Sequence, residues 1–134
     1  MPKKILLVDD DRDLVQSLEQ VLRMNGYEVL PAYSGPEGLR KLSAEKPDLI
    51  IMDVMMETDT AGFEAVNQIR SPRETSKYRQ FRTTPIIILT AINQVTNSRF
   101  SMDQRESFLP GINEFLTKPI DIDELLEKVA RHLT

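Results

Sequence analysis

The chain has no cysteine and only one histidine in 134 residues. The first absence rules out a disulfide framework and any thiolate chemistry. No uninterrupted apolar stretch is long enough for a membrane span. The start, Met1-Pro2-Lys3-Lys4, runs straight into a strand-like segment instead of a signal-peptide core. A cytoplasmic protein without membrane contact is therefore expected. Positive charge is not in excess: the formal net charge is -4, which argues against a general nucleic-acid binder. Internal repeats and low-complexity tracts are also lacking, so a single domain over residues 1–134 is the expected organisation.

What remains is the composition of a folded globular domain, with 40% hydrophobic and 28% charged residues. Strand and helix patterns alternate along the chain. Lys3–Val8 reads as a buried strand, and Asp11 to Met24 as a helix with Leu14, Leu18, Val21 and Leu22 on one stripe. Asn25-Gly26 ends that helix. Tyr27–Pro31 is a second strand. Ser34 with Glu37 forms a capping-box pattern that opens a helix to about Glu45. Asp48–Met52 is a third strand, and Gly62 to Arg70 a helix carrying Phe63, Val66 and Ile69. Thr84-Pro85 leads into a fourth strand, and Asn113–Leu116 is a fifth. Asp121 with Glu124 caps a final helix lined by Ile122, Leu125, Leu126, Val129 and Leu133. The apolar residues of Ala91–Pro110 follow no clean period, and a helix of undefined limits is expected there. Near-continuous apolar strands alternating with helices predict an α/β fold: a doubly wound, five-stranded parallel sheet with helices on both faces.

Four polar signals follow the apolar runs: Asp9-Asp10, Asp53, Thr90 and Lys118-Pro119. In a parallel sheet they share the crevice at the strand C-termini, where open α/β sheets bind ligands. Three ionised carboxylates in one crevice repel unless a cation intervenes. Carboxylate oxygens with open water positions suit Mg²⁺. Asp10 and Asp53 are expected as direct ligands, with Asp9 acting through a water. Each signal also has a plain reading. Asp9, Asp10, Asp11 and Asp13 are all candidates to cap the first helix, Lys118 could be a solvated charge, and Phe115 could be core. His132 reads as a contact with the end of the last helix or with solvent, not as a phosphotransfer histidine.

Asp9-Asp10, Asp53-Val54-Met55-Met56, Gly62-Phe63-Glu64, Thr90-Ala91 and Lys118-Pro119, in that order, resemble a response-regulator receiver domain of the stand-alone chemotaxis type. The resemblance covers essentially the whole chain. It implies a flavodoxin-like sheet with strand order 2-1-3-4-5. It implies a phosphoacceptor signalling switch of two-component phosphorelay signalling, catalysing only its own phosphorylation and dephosphorylation. Asp53 would take a phosphoryl group from a phosphohistidine on a sensor histidine kinase or histidine phosphotransfer protein. Mg²⁺ would be held by Asp9, Asp10, Asp53 and the Met55 backbone carbonyl. Thr90 and Lys118 would stabilise the phosphoryl group. Thr90 and Phe115 would form the switch that alters the face offered to a downstream target protein, Phe115 standing where many relatives have tyrosine. Pro119 would have a structural role, following a peptide bond that is usually cis in the family. Met55 and Ile92 occupy positions that relatives use to tune hydrolysis.

The chain departs from the family pattern in three places. Glu57 stands where relatives usually have proline, in a slightly long loop. Ser71–Thr84 is longer than usual and places Tyr78 and Phe81 among Arg73, Lys77, Arg79 and Arg82. That mixture invites a nucleic-acid reading, but the link enters the strand end opposite the crevice. A solvated loop or protein contact is the preferred expectation, with no nucleic-acid partner. Ala91 to Lys118 is also long. Two variants of the leading reading are a phosphorelay intermediate and a receiver domain excised from a larger regulator or hybrid kinase. The alternative of another class is a Mg²⁺-dependent aspartyl phosphohydrolase, which would use the spacing of Asp9 and Asp11.

Overall fold

The five apolar runs form one parallel sheet in the computed structural model, which describes residues 2–56, 58, 60–91 and 111–133. The strands are β1 (Lys4–Val8), β2 (Glu28–Ala32), β3 (Leu49–Asp53), β4 (Ile86–Ala91) and β5 (Glu114–Lys118). Their order is β2-β1-β3-β4-β5, and every pairing is parallel. Among the described residues the helices are α1 (Arg12–Met24), α2 (Gly35–Glu45), α3 (Ala61–Ile69) and α4 (Ile122–Leu133), with a short 3-10 turn at Arg79–Phe81. The helix expected within Ala91–Pro110 lies outside the described residues from position 92 on, as do Glu57 and Ile92.

Strand alternation divides the core into two layers. Leu6, Val8, Ile50, Met52, Ile86 and Ile88 face α2 and α3, where Leu39, Leu42, Ala65, Val66 and Ile69 meet them. Ile5, Leu7, Leu49, Ile51, Ile87 and Leu89 face α1 and α4, against Val15, Leu18, Leu22, Leu125 and Val129. Burial of each such side chain contributes about 1.5–3 kcal/mol. That is why the central strands are apolar through Ile5–Val8, Leu49–Met52 and Ile86–Leu89 instead of at alternate positions.

Four strands differ from the sequence reading: β1 starts one residue later, β3 is shifted by one so that it takes in Asp53, and β2 and β5 also move. β2 runs past Pro31 to Ala32. It is an edge strand, so the proline's missing N–H costs no ladder bond. β5 starts later and runs on through Thr117 and Lys118, which pair with Thr90 and Ala91. It too is an edge strand, and its solvent side tolerates polar residues. Three helix starts are capped as the sequence suggested. Asp11 accepts from Leu14 N, Ser34 Oγ from Glu37 N, and Asp121 Oδ1 from Glu124 N. Thr60, before α3, makes no side-chain cap bond.

The link 71–84 is solvent-exposed at most positions, as expected, but two of its side chains are not. Tyr78 and Phe81 are buried in the layer beneath α2 and α3. The Arg70 guanidinium holds the link from within. It donates to the carbonyls of Phe81 (2.7 Å), Arg82 (2.7 Å), Thr84 (2.6 Å) and Gly111 (3.0 Å), and to Asn113 Oδ1 (3.3 Å). Asn113 Oδ1 also accepts from Ile86 N at 2.9 Å. One side chain thus ties the end of α3 to the entrances of β4 and β5. Replacing it leaves several carbonyls without their charged donor. Arg70→Met is expected to lower stability by roughly 2–4 kcal/mol, measured by urea denaturation. A loss below about 0.5 kcal/mol would show that the network contributes nothing net.

Candidate functional site

The strand order reverses between β1 and its neighbours β2 and β3, which places the end of β1 beside the end of β3 at the topological switch point. Asp9 directly follows β1, and Asp53 is the last residue of β3. Both are buried, Asp9 at 0% and Asp53 at 4% exposure, while Asp10 is exposed at the rim. One carboxylate oxygen from each of Asp9, Asp10 and Asp53 lies within 4.8 Å of the others. Lys118, the last residue of β5, reaches into this group. Its Nζ lies 3.0 Å from Asp9 Oδ2 and 3.1 Å from Asp53 Oδ1. The four signals thus sit at or just beyond the strand ends, Asp53, Thr90 and Lys118 still within their strands.

The local backbone explains these positions. Asp11 N donates to Asp9 Oδ1 at 3.0 Å, which turns the Asp9 carboxylate inward as α1 begins. Of the four clustered acids, Asp11 is the helix cap, so the capping reading holds for that residue and fails for Asp9. The Asp11 carboxylate accepts from Leu14 N and lies outside the acidic group. Gly62 N donates to Val54 O at 2.8 Å, and a Cβ at Gly62 would stand 2.2 Å from Asp53 O. Only glycine lets α3 start so close to the end of β3. The sequence motif contained this glycine but gave no reason for it.

Crowding sets the electrostatics. Burial, then the charge of Asp9, pushes the Asp53 carboxyl up to about 6, against the opposing pull of Lys118. Burial also raises Asp9. Burial alone would lower Lys118, but its two carboxylate partners outweigh it and raise the ammonium instead. Asp9 Oδ2 has no partner among the described residues besides that ammonium. A buried, under-satisfied carboxylate oxygen in an all-oxygen acidic group fits a small hard divalent cation such as Mg²⁺.

The other expected residues lie close by. Met55 is exposed in the loop after β3, in the chain segment from which a backbone carbonyl would be supplied. Thr90 is buried in β4, and its hydroxyl donates to Ala91 O at 3.3 Å. Phe115 is half-buried against the layer under α2 and α3 and pairs with Ile88 in register, so it shares a sheet face with Thr90. Pro119 follows a cis peptide bond at Lys118. Sequence reasoning missed Lys128 of α4, whose Nζ donates to Phe115 O at 2.7 Å. No sequence signal marks a side chain that binds a distant carbonyl.

Known proteins share this architecture. The family model described as "Response regulator receiver domain" matches residues 5–130. The response regulator MprA of Mycolicibacterium vanbaalenii is 35% identical over 129 residues, covering 96% of this chain and 49% of that protein. This chain therefore spans about half the length of the curated relatives it matches. The chemotaxis response regulator CheY4 of Vibrio cholerae superposes with a TM-score of 0.74 at 31% identity, covering 98% of this chain and 99% of that one. A CheY-like receiver domain protein of Methanospirillum hungatei gives 0.76 at 29% identity, covering 99% and 94%. No helix among the described residues is long and apolar enough to cross a membrane. The chain belongs to the response regulator receiver domain family of two-component signalling systems.

Proposed function

We propose that this chain is a phosphoacceptor switch in which Asp53 takes a phosphoryl group from a phosphohistidine of a sensor histidine kinase or histidine phosphotransfer protein. One observation carries the reading: a single ammonium, Lys118 Nζ, bridges two buried carboxylates at adjoining strand ends. In the transfer, an Asp53 carboxylate oxygen bonds to phosphorus as the phosphorus–nitrogen bond of the donor breaks, and the electron pair leaves on the imidazole. Phosphoryl transfer asks mainly for positioning and charge neutralisation. Lys118 is placed to give its positive charge to the phosphoryl oxygens. Thr90 supplies a hydroxyl donor, giving up its bond to Ala91 O. Mg²⁺, when bound by Asp9, Asp10, Asp53 and the Met55 carbonyl, supplies further neutralisation of phosphoryl charge.

The signal then leaves through the sheet face shared by Thr90 and Phe115. Movement of Thr90 toward the phosphoryl group frees space on that face, and Phe115 turns into it. Lys128 senses the same strand through Phe115 O. A downstream protein reads the change. The domain acts on no other substrate; the chemistry it catalyses is its own phosphorylation and dephosphorylation.

Intact mass tests the acceptor directly. Incubation with a small acyl phosphate is expected to add one phosphoryl group to the wild type in Mg²⁺, none after chelation, and none to Asp53→Asn. No gain under any condition would make the domain a phosphorylation-independent binding module.

The crowding also predicts a pH signature. The folded Asp53 carboxyl titrates near about 6, and an unfolded aspartate near about 3.9. The folded state thus holds this proton more tightly. The group's contribution to stability is complete below about pH 4 and is lost as pH rises through about 6. Metal-free Asp53→Asn is expected to exceed the wild type in stability at about pH 8 by up to about 3 kcal/mol, the difference closing toward about pH 4. Urea denaturation in chelator across this range checks it, and a pH-independent difference would refute the electrostatic cause.

A further inference from the structure

The long link 71–84 carries a set of charges that the phosphorylation crevice does not use. Its basic residues are not equivalent. Arg70, which precedes the link, has its guanidinium filled by carbonyls and Asn113. Arg82 donates to Ser71 O at 2.7 Å and to Arg73 O. Arg79 donates to Glu74 O at 3.2 Å. These three cations are structural. The side chains of Arg73 and Lys77 have no hydrogen bond or ion pair among the described residues, and Lys77 Nζ only rests over the Tyr78 ring, 5.3 Å from its centre. A ring contact holds an ammonium in place without neutralising it.

Both of these cations line one open cavity of about 270 Å³. Ser71, Thr75 and Ser76 add hydroxyls, Gln68 adds an amide, and no lining residue is a carboxylate. Ser71 Oγ accepts from Arg73 N at 3.4 Å, and Ser76 Oγ from Tyr78 N at 3.2 Å. Each hydroxyl therefore keeps its proton for an outside acceptor. Two uncompensated cations and several O–H donors around one hollow, in a chain of net charge -4, form a local field for an anion. Nucleic acid fits poorly, because the aromatics it would stack on, Tyr78 and Phe81, are turned into the core.

We propose that this cavity binds a small phosphate monoester. The tetrahedral oxyanion offers several acceptor oxygens to the Arg73 fork, the Lys77 ammonium and the hydroxyls. The volume of about 270 Å³ leaves room beside the oxyanion for a compact organic group. The site lies at the strand end opposite Asp53, roughly 15–20 Å of strand away. It neither needs nor competes with the phosphoacceptor chemistry.

Amide NMR of the full chain tests it, titrating inorganic phosphate and glycerol 3-phosphate in chelator at fixed ionic strength. Chloride and acetate serve as control anions. Shifts confined to residues 68–78, saturating with dissociation constants on the order of millimolar and stronger for the ester, are expected. Arg73→Gln and Lys77→Gln should each weaken binding about tenfold. Neither side chain makes a hydrogen bond or ion pair among the described residues, so neither change should impair folding. The proposal is overturned if no shifts appear or if chloride or acetate gives the same shifts. It also fails if binding persists in the double variant, or if a single-stranded oligonucleotide binds more tightly with shifts beyond the cavity. Asp53→Asn should keep the phosphate-induced shifts, so this site and the switch stand or fall separately.

Discussion

Three carboxylates brought to the ends of β1 and β3 form the constraint on which the rest of this molecule turns. Two of them are buried or nearly so, and like charges in a medium of low polarity are costly. The fold answers with one ammonium from β5, shared between Asp9 and Asp53. That answer is partial. It leaves Asp9 Oδ2 with a single partner and the Asp53 carboxyl raised toward neutrality. A site that is only partly neutralised is receptive both to a divalent cation and to a proton.

The surrounding structure keeps the charges from relaxing apart. Asp9 and Asp53 leave strands that are paired in register and apolar on both faces, so neither strand can slide without exposing a core layer. Lys118 is fixed by the pairing of β5 with β4. At the other end of the sheet, Arg70 fastens the entrances of β4 and β5 to the end of α3. The chemistry is thus placed by strands whose positions are fixed by packing and by a hub of carbonyl bonds far from it.

Much of this was legible in the residue order. Apolar runs of four residues marked β1, β3 and β4, and Asp9, Asp53 and Thr90 each stood where a run stopped, with Lys118 just beyond Phe115-Leu116. The strand order came from the family resemblance, since local patterns do not carry it. Long-range backbone recognition was invisible. Arg70 binds carbonyls as far as Gly111, and Lys128 binds Phe115 O, yet a carbonyl has the same sequence signature everywhere. Tyr78 and Phe81 misled for another reason. Aromatics between basic residues look alike whether they face water or core, and here the packing under α3 decided. The run of acids after β1 was ambiguous until the chain path made Asp11 the cap and turned Asp9 inward.

The start of α3 differs from the other helix starts. α1, α2 and α4 each begin on a side-chain cap, whereas Thr60 provides none and the glycine demanded by the Asp53 backbone sits in the first turn. Among the described helices, the one start without a side-chain cap thus lies against the buried Asp53 and is held there by the Gly62–Val54 backbone bond. Fraying of that turn would break the Gly62–Val54 bond and let water reach the Asp53 backbone from below. Amide hydrogen exchange at 61–64 would register such an opening directly.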